Sequence, residues 1–309
     1  MHRNRKLPRI AWRELHGIVL FDKHEGESST QAMQSVRRLF RAAKGGHTGA
    51  LDPMATGLLP LCFGEATKLA GNLLGARKAY RATCRLGITT STADREGEIL
   101  LERPVPALDA AAIEAALAPL RGRITQVPPV YSALKQDGEA LYVKARRGDE
   151  VTAPPREVEV FRLELLAVDA DSLTFEVECG SGTYVRALAR DLGEALGCGA
   201  HLTALRRLWV EPFRAPVMAT MAELEEAARQ GDAALLAHLL PLSAGLADWP
   251  ALQLDEAQTT AIVHGQPIVV TRPAGRYAAY AADGALLALL TLDEAGRSRI
   301  QRGFNLPPP

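Results

Sequence analysis

At 309 residues with 47% hydrophobic side chains, the chain is long enough to bury a full core and to hold one large domain beside a small one. Its longest apolar runs, such as Leu286 to Leu292, fall far short of the roughly 20 residues a membrane-spanning helix needs, and no apolar segment follows Arg3, Arg5, Lys6, Arg9 and Arg13, so neither a bilayer span nor a secretory signal is expected and the cytoplasm is the expected compartment. Formal net charge is zero, which by itself argues against a nucleic-acid partner, yet residues 1–50 hold ten Lys/Arg against four Asp/Glu while residues 219–309 hold six against ten, so the front of the chain is suited to phosphate contact.

Residues 1–16 read as a basic flexible leader. Gly17 to Asp22 (GIVLFD) follows as a short buried strand, and a Ser28 or Ser29 cap then opens a helix to about Ala43. Ala32, Val36, Leu39, Phe40 and Ala43 share one face of that helix, with Arg37, Arg38, Arg41 and Lys44 on the rest. After a glycine-rich turn come a strand around Leu59 to Phe63, a helix from about Glu65 to Leu74 and a strand from Lys78 to Gly87. The middle gives a helix from about Leu108 to Leu117, a proline-rich stretch with a short basic helix near Glu139 to Arg147, and strands at Val158 to Val168 and Leu173 to Cys179. A second glycine-rich turn (CGSGT) opens a helix to about Leu196, and Gly197 and Gly199 punctuate the chain after it. From Ala219 run two acidic helical segments, and Pro241 to Pro250 reads as a linker. A short helix and alternating segments at Ile268 to Thr271, Tyr277 to Ala281 and Leu286 to Leu292 then predict a small β-rich module with a frayed Pro307 to Pro309 end. The expected class is α+β.

The four cysteines, Cys62, Cys84, Cys179 and Cys198, form no close pair of the kind zinc and redox sites use, so buried free thiols are expected. Asp52 precedes Pro53 and has two readings: it caps a helix that the proline starts, or it is a nucleophile or base presented by a turn that Gly45, Gly46, Gly49 and Gly57 leave open to a ligand. GGHTGALDP lacks the phosphate-loop pattern GxxxxGK[ST], and His47 with Asp52 makes a weak metal pair, so no metal is expected. Tyr80 and Tyr184 read as half-buried packing or as stacking platforms. Arg186 falls in the first turn of a helix, where the macrodipole disfavours a cation; an anionic partner such as Asp52 would account for it. Arg206 and Arg207 read as a solvated face.

GGHTGALDPMATGLLPLCFGEATKL, KAYRATCRLG and CGSGTYVRALARDLGEALGCGAHLTALRRL, in that order, resemble the signature blocks of the tRNA pseudouridine synthase B family. PPVYSALKQDGEALYVKARRG resembles the family's RNA-binding insertion, and the C-terminal module resembles its PUA-type domain. The resemblance implies a catalytic domain over 17–245, with a mixed, largely antiparallel sheet flanked by helices and an insertion at about 125–152. A PUA-like RNA-binding domain would follow over 246–309.

It further implies isomerisation of uridine 55 in the T loop of tRNA by base flipping, with no cofactor and no obligatory protein partner, by an enzyme expected to be a monomer. Asp52 matches the catalytic aspartate, Tyr80 the tyrosine that stacks on the target base, and Arg186 the arginine that pairs with the carboxylate. Tyr184 lies beside Arg186. His47 matches the histidine that fills the space left by the extruded base, Leu205 matches a pocket-wall leucine, and Lys23 and Lys68 fall in matching basic positions near the cleft. DKHEGESS departs from the usual DKPxGxSS, with His24 in place of a proline. The rival readings are a guide-RNA-dependent relative acting on ribosomal RNA, against which the insertion argues, and a non-catalytic RNA-binding or tRNA-folding factor.

Overall fold

The computed structural model describes residues 11–71, 77–132, 134–136, 138–149 and 151–306. The first ten residues of the expected leader, the end of the helix expected to reach Leu74, and Pro307 to Pro309 lie outside the described residues.

In chain order the structure runs β1 (Gly17–Lys23), α1 (Ser29–Phe40), β2 (Gly45–His47), β3 (Thr56–Phe63), a 3-10 turn (Gly64–Leu69), β4 (Lys78–Leu86), a hairpin of β5 (Ile88–Thr90) and β6 (Ile99–Glu102), α2 (Ala110–Leu117) and β7 (Gly122–Gln126). A small hairpin, β8 (Lys135–Gln136) and β9 (Glu139–Ala140), leads into α3 (Leu141–Arg146), followed by β10 (Arg156–Val168), β11 (Ser172–Cys179), α4 (Val185–Ala195) and β12 (Ala200–Val210). After α5 (Met221–Gln230) and α6 (Asp232–Leu236) come β13 (Ala251–Gln253), α7 (Glu256–Val263), β14 (Gly275–Tyr280), β15 (Leu286–Leu292) and β16 (Ser298–Gly303).

The large sheet has the order β1-β3-β12-β4-β11-β10-β7, with β2 added alongside β3. Only the β12–β3 contact is parallel, so the sheet is mixed and largely antiparallel, as the α+β reading expects. At that contact Arg207 lies opposite Gly57, whose φ is +96°, and a Cβ there would meet the Arg207 carbonyl oxygen at 2.2 Å. Only glycine lets the two strands close.

Helix α1 follows from its sequence: Ser28 and Gln31 form a capping box, and Ala32, Met33, Val36 and Phe40 are buried on one face. With α4 and α5 it packs on one face of the sheet around Val19, Phe21, Leu59, Leu61, Phe175, Leu188 and Leu202. Residues 11–16 are not a flexible leader. Arg13 pairs through its backbone with Arg41 and Ala43, donates from Nε to the Phe40 carbonyl at 2.9 Å and meets Asp232 at 2.7 Å.

Strand β12 occupies a central place that sequence reading left unassigned. Its Arg206–Arg207 pair is not a solvated face: Arg206 grips Asp22 with two hydrogen bonds of 2.9 and 2.7 Å, and Arg207 is fully buried. The small four-stranded sheet has the order β13-β14-β15-β16. Ile268 to Thr271, expected as a strand, makes only one bridge, Val269 to Arg297, while β13 and β16 complete the sheet instead. The 241–250 segment is not a free linker. Leu242 and Leu246 are buried in an apolar cluster that joins Ile18, Leu20, Leu58 and Leu69 to Ala278, Leu286, Leu289 and Phe304 of the C-terminal module. All four cysteines are buried and free.

Candidate active site

Asp52 caps no helix. The chain turns at Pro53–Met54 and enters β3 at Thr56, with Ala55 N–H donating to the Asp52 carbonyl at 3.0 Å. A carboxylate on a turn that starts no helix does no capping work, so the capping reading of Asp52 falls away. The turn is fastened from both sides. Ser29 exchanges hydrogen bonds with the Leu51 backbone, and the Lys23 ammonium, itself wholly buried, donates to the carbonyls of His24 (2.8 Å), Pro53 (3.1 Å) and Ala55 (2.8 Å). Lys23 therefore stands behind the turn and does not line the cleft. Burial, partly offset by Glu27 and Asp52, pulls its ammonium below the ordinary lysine value.

Arg186, from the first turn of α4, reaches Asp52 with Nε at 2.9 Å from Oδ2 and with a terminal nitrogen at 3.3 Å from Oδ1. The rest of its guanidinium is equally occupied. It donates to the carbonyls of Thr92 (3.0 Å) and Tyr131 (2.9 Å) and lies 3.3 Å from a second carboxylate, Asp94. Only 6% of the Arg186 side chain is exposed, against 37% for Asp52, so the aspartate is the member of the pair that faces outward. Burial raises the Asp52 carboxyl above the ordinary aspartate value; Arg186 works against that rise, Asp94 adds to it, and Lys23 counters it again.

Sequence reading missed Asp94. It sits in the turn between β5 and β6, next to Ala93 at φ 59°, and its carboxylate takes the Thr92 hydroxyl and the Glu96 N–H at 2.5 and 3.0 Å. A buried acid 42 positions from Asp52 has no local signature; a Thr-x-Asp turn after a short strand was the only available hint.

Asp52 and Arg186 both line a cleft of about 120 Å³, together with Ala50, Leu51, Tyr80, Thr183, Tyr184, Val185 and Leu205, while Asp94 stands behind Arg186, away from the lining. That is the volume of roughly four waters in the liquid, room for one planar ring. Tyr80 and Leu205 come from adjacent central strands, with Tyr80 opposite Arg207 and Leu205 opposite Ala82. The Tyr80 phenol is held up from its ordinary value by burial, against the pull of the neighbouring Arg207. Arg207 also donates to the carbonyls of Leu58 (2.6 Å) and Gly49 (3.1 Å), tying the Asp52 turn to β3.

His47 and Lys68 are not brought to the cleft wall. His47 lies on β2, its buried Nδ1 without a hydrogen-bond partner and its ring held below the usual histidine value by burial and then by Arg207. Lys68 faces the C-terminal module, 2.5 Å from Glu65 and 3.0 Å from the Gly303 carbonyl, with its ammonium 6.0 Å from the Phe304 ring. His24 pairs with Glu27 at 3.2 Å. Among the described residues no group of three His, Cys, Asp or Glu is placed to hold a metal ion, and no helix is long and apolar enough to cross a membrane.

Three family models match successive parts of the chain: TruB family pseudouridylate synthase, N-terminal domain, over residues 37–185; the tRNA pseudouridylate synthase B C-terminal domain over 186–247; and tRNA pseudouridine synthase II, C terminal, over 249–305. The tRNA pseudouridine synthase B of Xanthomonas axonopodis pv. citri is 56% identical over 96% of this chain and 97% of its own length, and that of Xylella fastidiosa is 55% identical over 97% and 99%. Among solved structures, a Cbf5-Nop10-Gar1 complex contains a chain with the same fold, at TM-score 0.73 and 20% identity, covering 97% of this chain and 92% of that one. The chain belongs to the TruB family of pseudouridylate synthases and is an isomerase that modifies tRNA.

Proposed function

We propose that the chain converts uridine 55 in the T loop of tRNA to pseudouridine, with Asp52 as the catalytic carboxylate. The observation that carries this reading is the Asp52–Arg186 pair at the end of a cleft with an aromatic and an aliphatic wall. A base inside a folded loop cannot meet a carboxylate, so the nucleotide is swung out of its stack, which costs a few kcal/mol recovered by contacts in the pocket. Tyr80 and Leu205 receive the uracil, and Tyr184 borders it.

The reaction is an isomerisation. The bond between the ribose anomeric carbon and uracil N1 breaks, the ring turns, and the same carbon bonds to C5; C5 gives up its proton and N1 gains one. No electron acceptor or transferred group enters, so this chemistry calls for no cofactor. Asp52 acts in its charged form, and Arg186 favours that form in a site whose burial opposes it. His47 fills the gap left in the RNA. The segment at 125–152 and the PUA-like module grip the T arm, and the enzyme works in the cytoplasm as a monomer without an obligatory protein partner. Lys23 serves by holding the Asp52 turn, and Lys68 by steadying the module, where their contacts lie.

The test is Asp52→Asn, which keeps size and removes charge. A T-arm RNA incubated with the variant, then derivatised with a reagent specific for pseudouridine and weighed, is expected to carry no adduct, while the RNA still binds with near wild-type affinity. Turnover near the wild-type rate would reject Asp52.

A further inference from the structure

The segment that leaves β7 is fastened to helix α4 by four hydrogen bonds, two of which come from one side chain. Gln126, the last residue of β7, is fully buried. Its amide pairs with both backbone groups of Tyr184: Nε2 donates to the Tyr184 carbonyl at 3.1 Å, and Oε1 accepts from the Tyr184 N–H at 2.8 Å. Tyr184 is the N-cap of α4 and has no side-chain cap bond of its own. Its carbonyl also takes the N–H groups of Ala187 and Leu188, so this one residue marks where α4 begins. Arg186 stands two residues further on. The other two bonds run from the helix to the same segment: Arg190 donates to the Val127 carbonyl at 3.0 Å, and Arg186 itself donates to the Tyr131 carbonyl at 2.9 Å.

Between those anchor points lie Pro128 and Pro129, whose rings fix two successive φ angles, so little slack separates Gln126 from Tyr131. A glutamine is well suited to this work. Its planar amide presents an N–H donor and a carbonyl acceptor side by side, carries no charge to perturb the neighbouring ion pair, and satisfies both backbone groups of Tyr184 in a buried place.

We infer that Gln126 is a positioning residue for the isomerisation, acting through the Tyr184 backbone to aim Arg186 at Asp52. The inference rests on the proposed reading that Asp52 and Arg186 do the chemistry on a T-arm RNA.

The experiment measures single-turnover pseudouridine formation and T-arm RNA affinity side by side. Product from the wild-type enzyme and none from Asp52→Asn supports the underlying reading, and failure of either would remove that reading without reference to Gln126. Gln126→Met keeps the volume and removes both bonds; it is expected to slow the chemical step about 10- to 100-fold, as a misplacement near 1 Å does, with RNA affinity within about twofold of wild type. An unchanged rate, or a loss of affinity that matches the loss of rate, would overturn the inference.

Gln126→Glu decides the matter if the methionine variant does not fold. Ionised, the glutamate accepts from the Tyr184 N–H but repels the Tyr184 carbonyl; protonated, it regains the donor. Its rate relative to wild type is expected to recover as pH falls from 8 to 6. A pH profile parallel to wild type would mean that Gln126 only fills space.

Discussion

Charge is held in opposite ways at the two ends of β3. At its start, Arg186 is shared between Asp52 and Asp94 with its remaining donors on backbone carbonyls, and almost no water reaches it. At its end, Lys68 and Glu65 pair with 25% and 16% of their side chains exposed, beside a core in which Ile18, Leu20 and Leu58 meet Leu286, Leu289 and Phe304. A buried ion network gains little net stability, because desolvation offsets the attraction, but it fixes where each charge sits. An apolar junction does the reverse, contributing stability while specifying little chemistry. The cleft is therefore built for position and the junction for cohesion.

Substitutions at each end sharpen that contrast. Among substitutions that spare both Asp52 and Arg186, the largest effect on activity is expected from Asp94→Asn, which takes one of the two carboxylates from Arg186; loss of aim should slow turnover by about 100-fold. The sign of its pH effect is fixed as well. Asp94 helps to raise the Asp52 carboxyl, so removing its charge moves the acid limb of the rate profile to lower pH. Next is Phe304→Ala at the junction, expected to lower unfolding free energy by about 3–5 kcal/mol in denaturant titration, with the single-turnover rate at low temperature close to wild type. If Phe304→Ala slowed chemistry as strongly as Asp94→Asn does, the division of labour would fail.

The smallest effect is expected from Lys68→Met, about 1 kcal/mol or less for a partly exposed pair. Burial tends to raise the Glu65 carboxyl, but Lys68 and the Asn305 N–H outweigh it and hold the group below 4.5. Its contribution is thus full above pH 4.5 and fades as pH falls through the depressed value; Lys68→Met should flatten that fade.

Elements with a local cause were legible in the sequence. The Ser28–Gln31 capping box and one-sided apolar spacing marked α1, and unbroken alternation marked β11. Strand β12 was hidden because its Arg206–Arg207 pair has the composition of a solvated surface, whereas Asp22 accepts one guanidinium and backbone carbonyls the other. Asp52 before Pro53 carried two meanings locally, and Pro53–Met54 turning directly into a strand removes the capping one. The Asp52–Arg186 partnership was reachable from the poor placement of a cation at a helix start. Asp94 and Gln126 were not, since what makes them matter is burial against residues far along the chain. Lys23 and Lys68 had the right charge for the cleft, but three carbonyls and the C-terminal module claim them instead.

The role proposed for Arg186 is to keep Asp52 charged and aimed. It is tested most directly by the pH dependence of single-turnover pseudouridine formation in Arg186→Gln against wild type. Without the guanidinium, the Asp52 carboxyl loses the interaction that most opposes its burial, so the acid limb should move to higher pH and the plateau rate should fall. A lowered plateau with the acid limb unmoved, or a wild-type profile, would contradict the account.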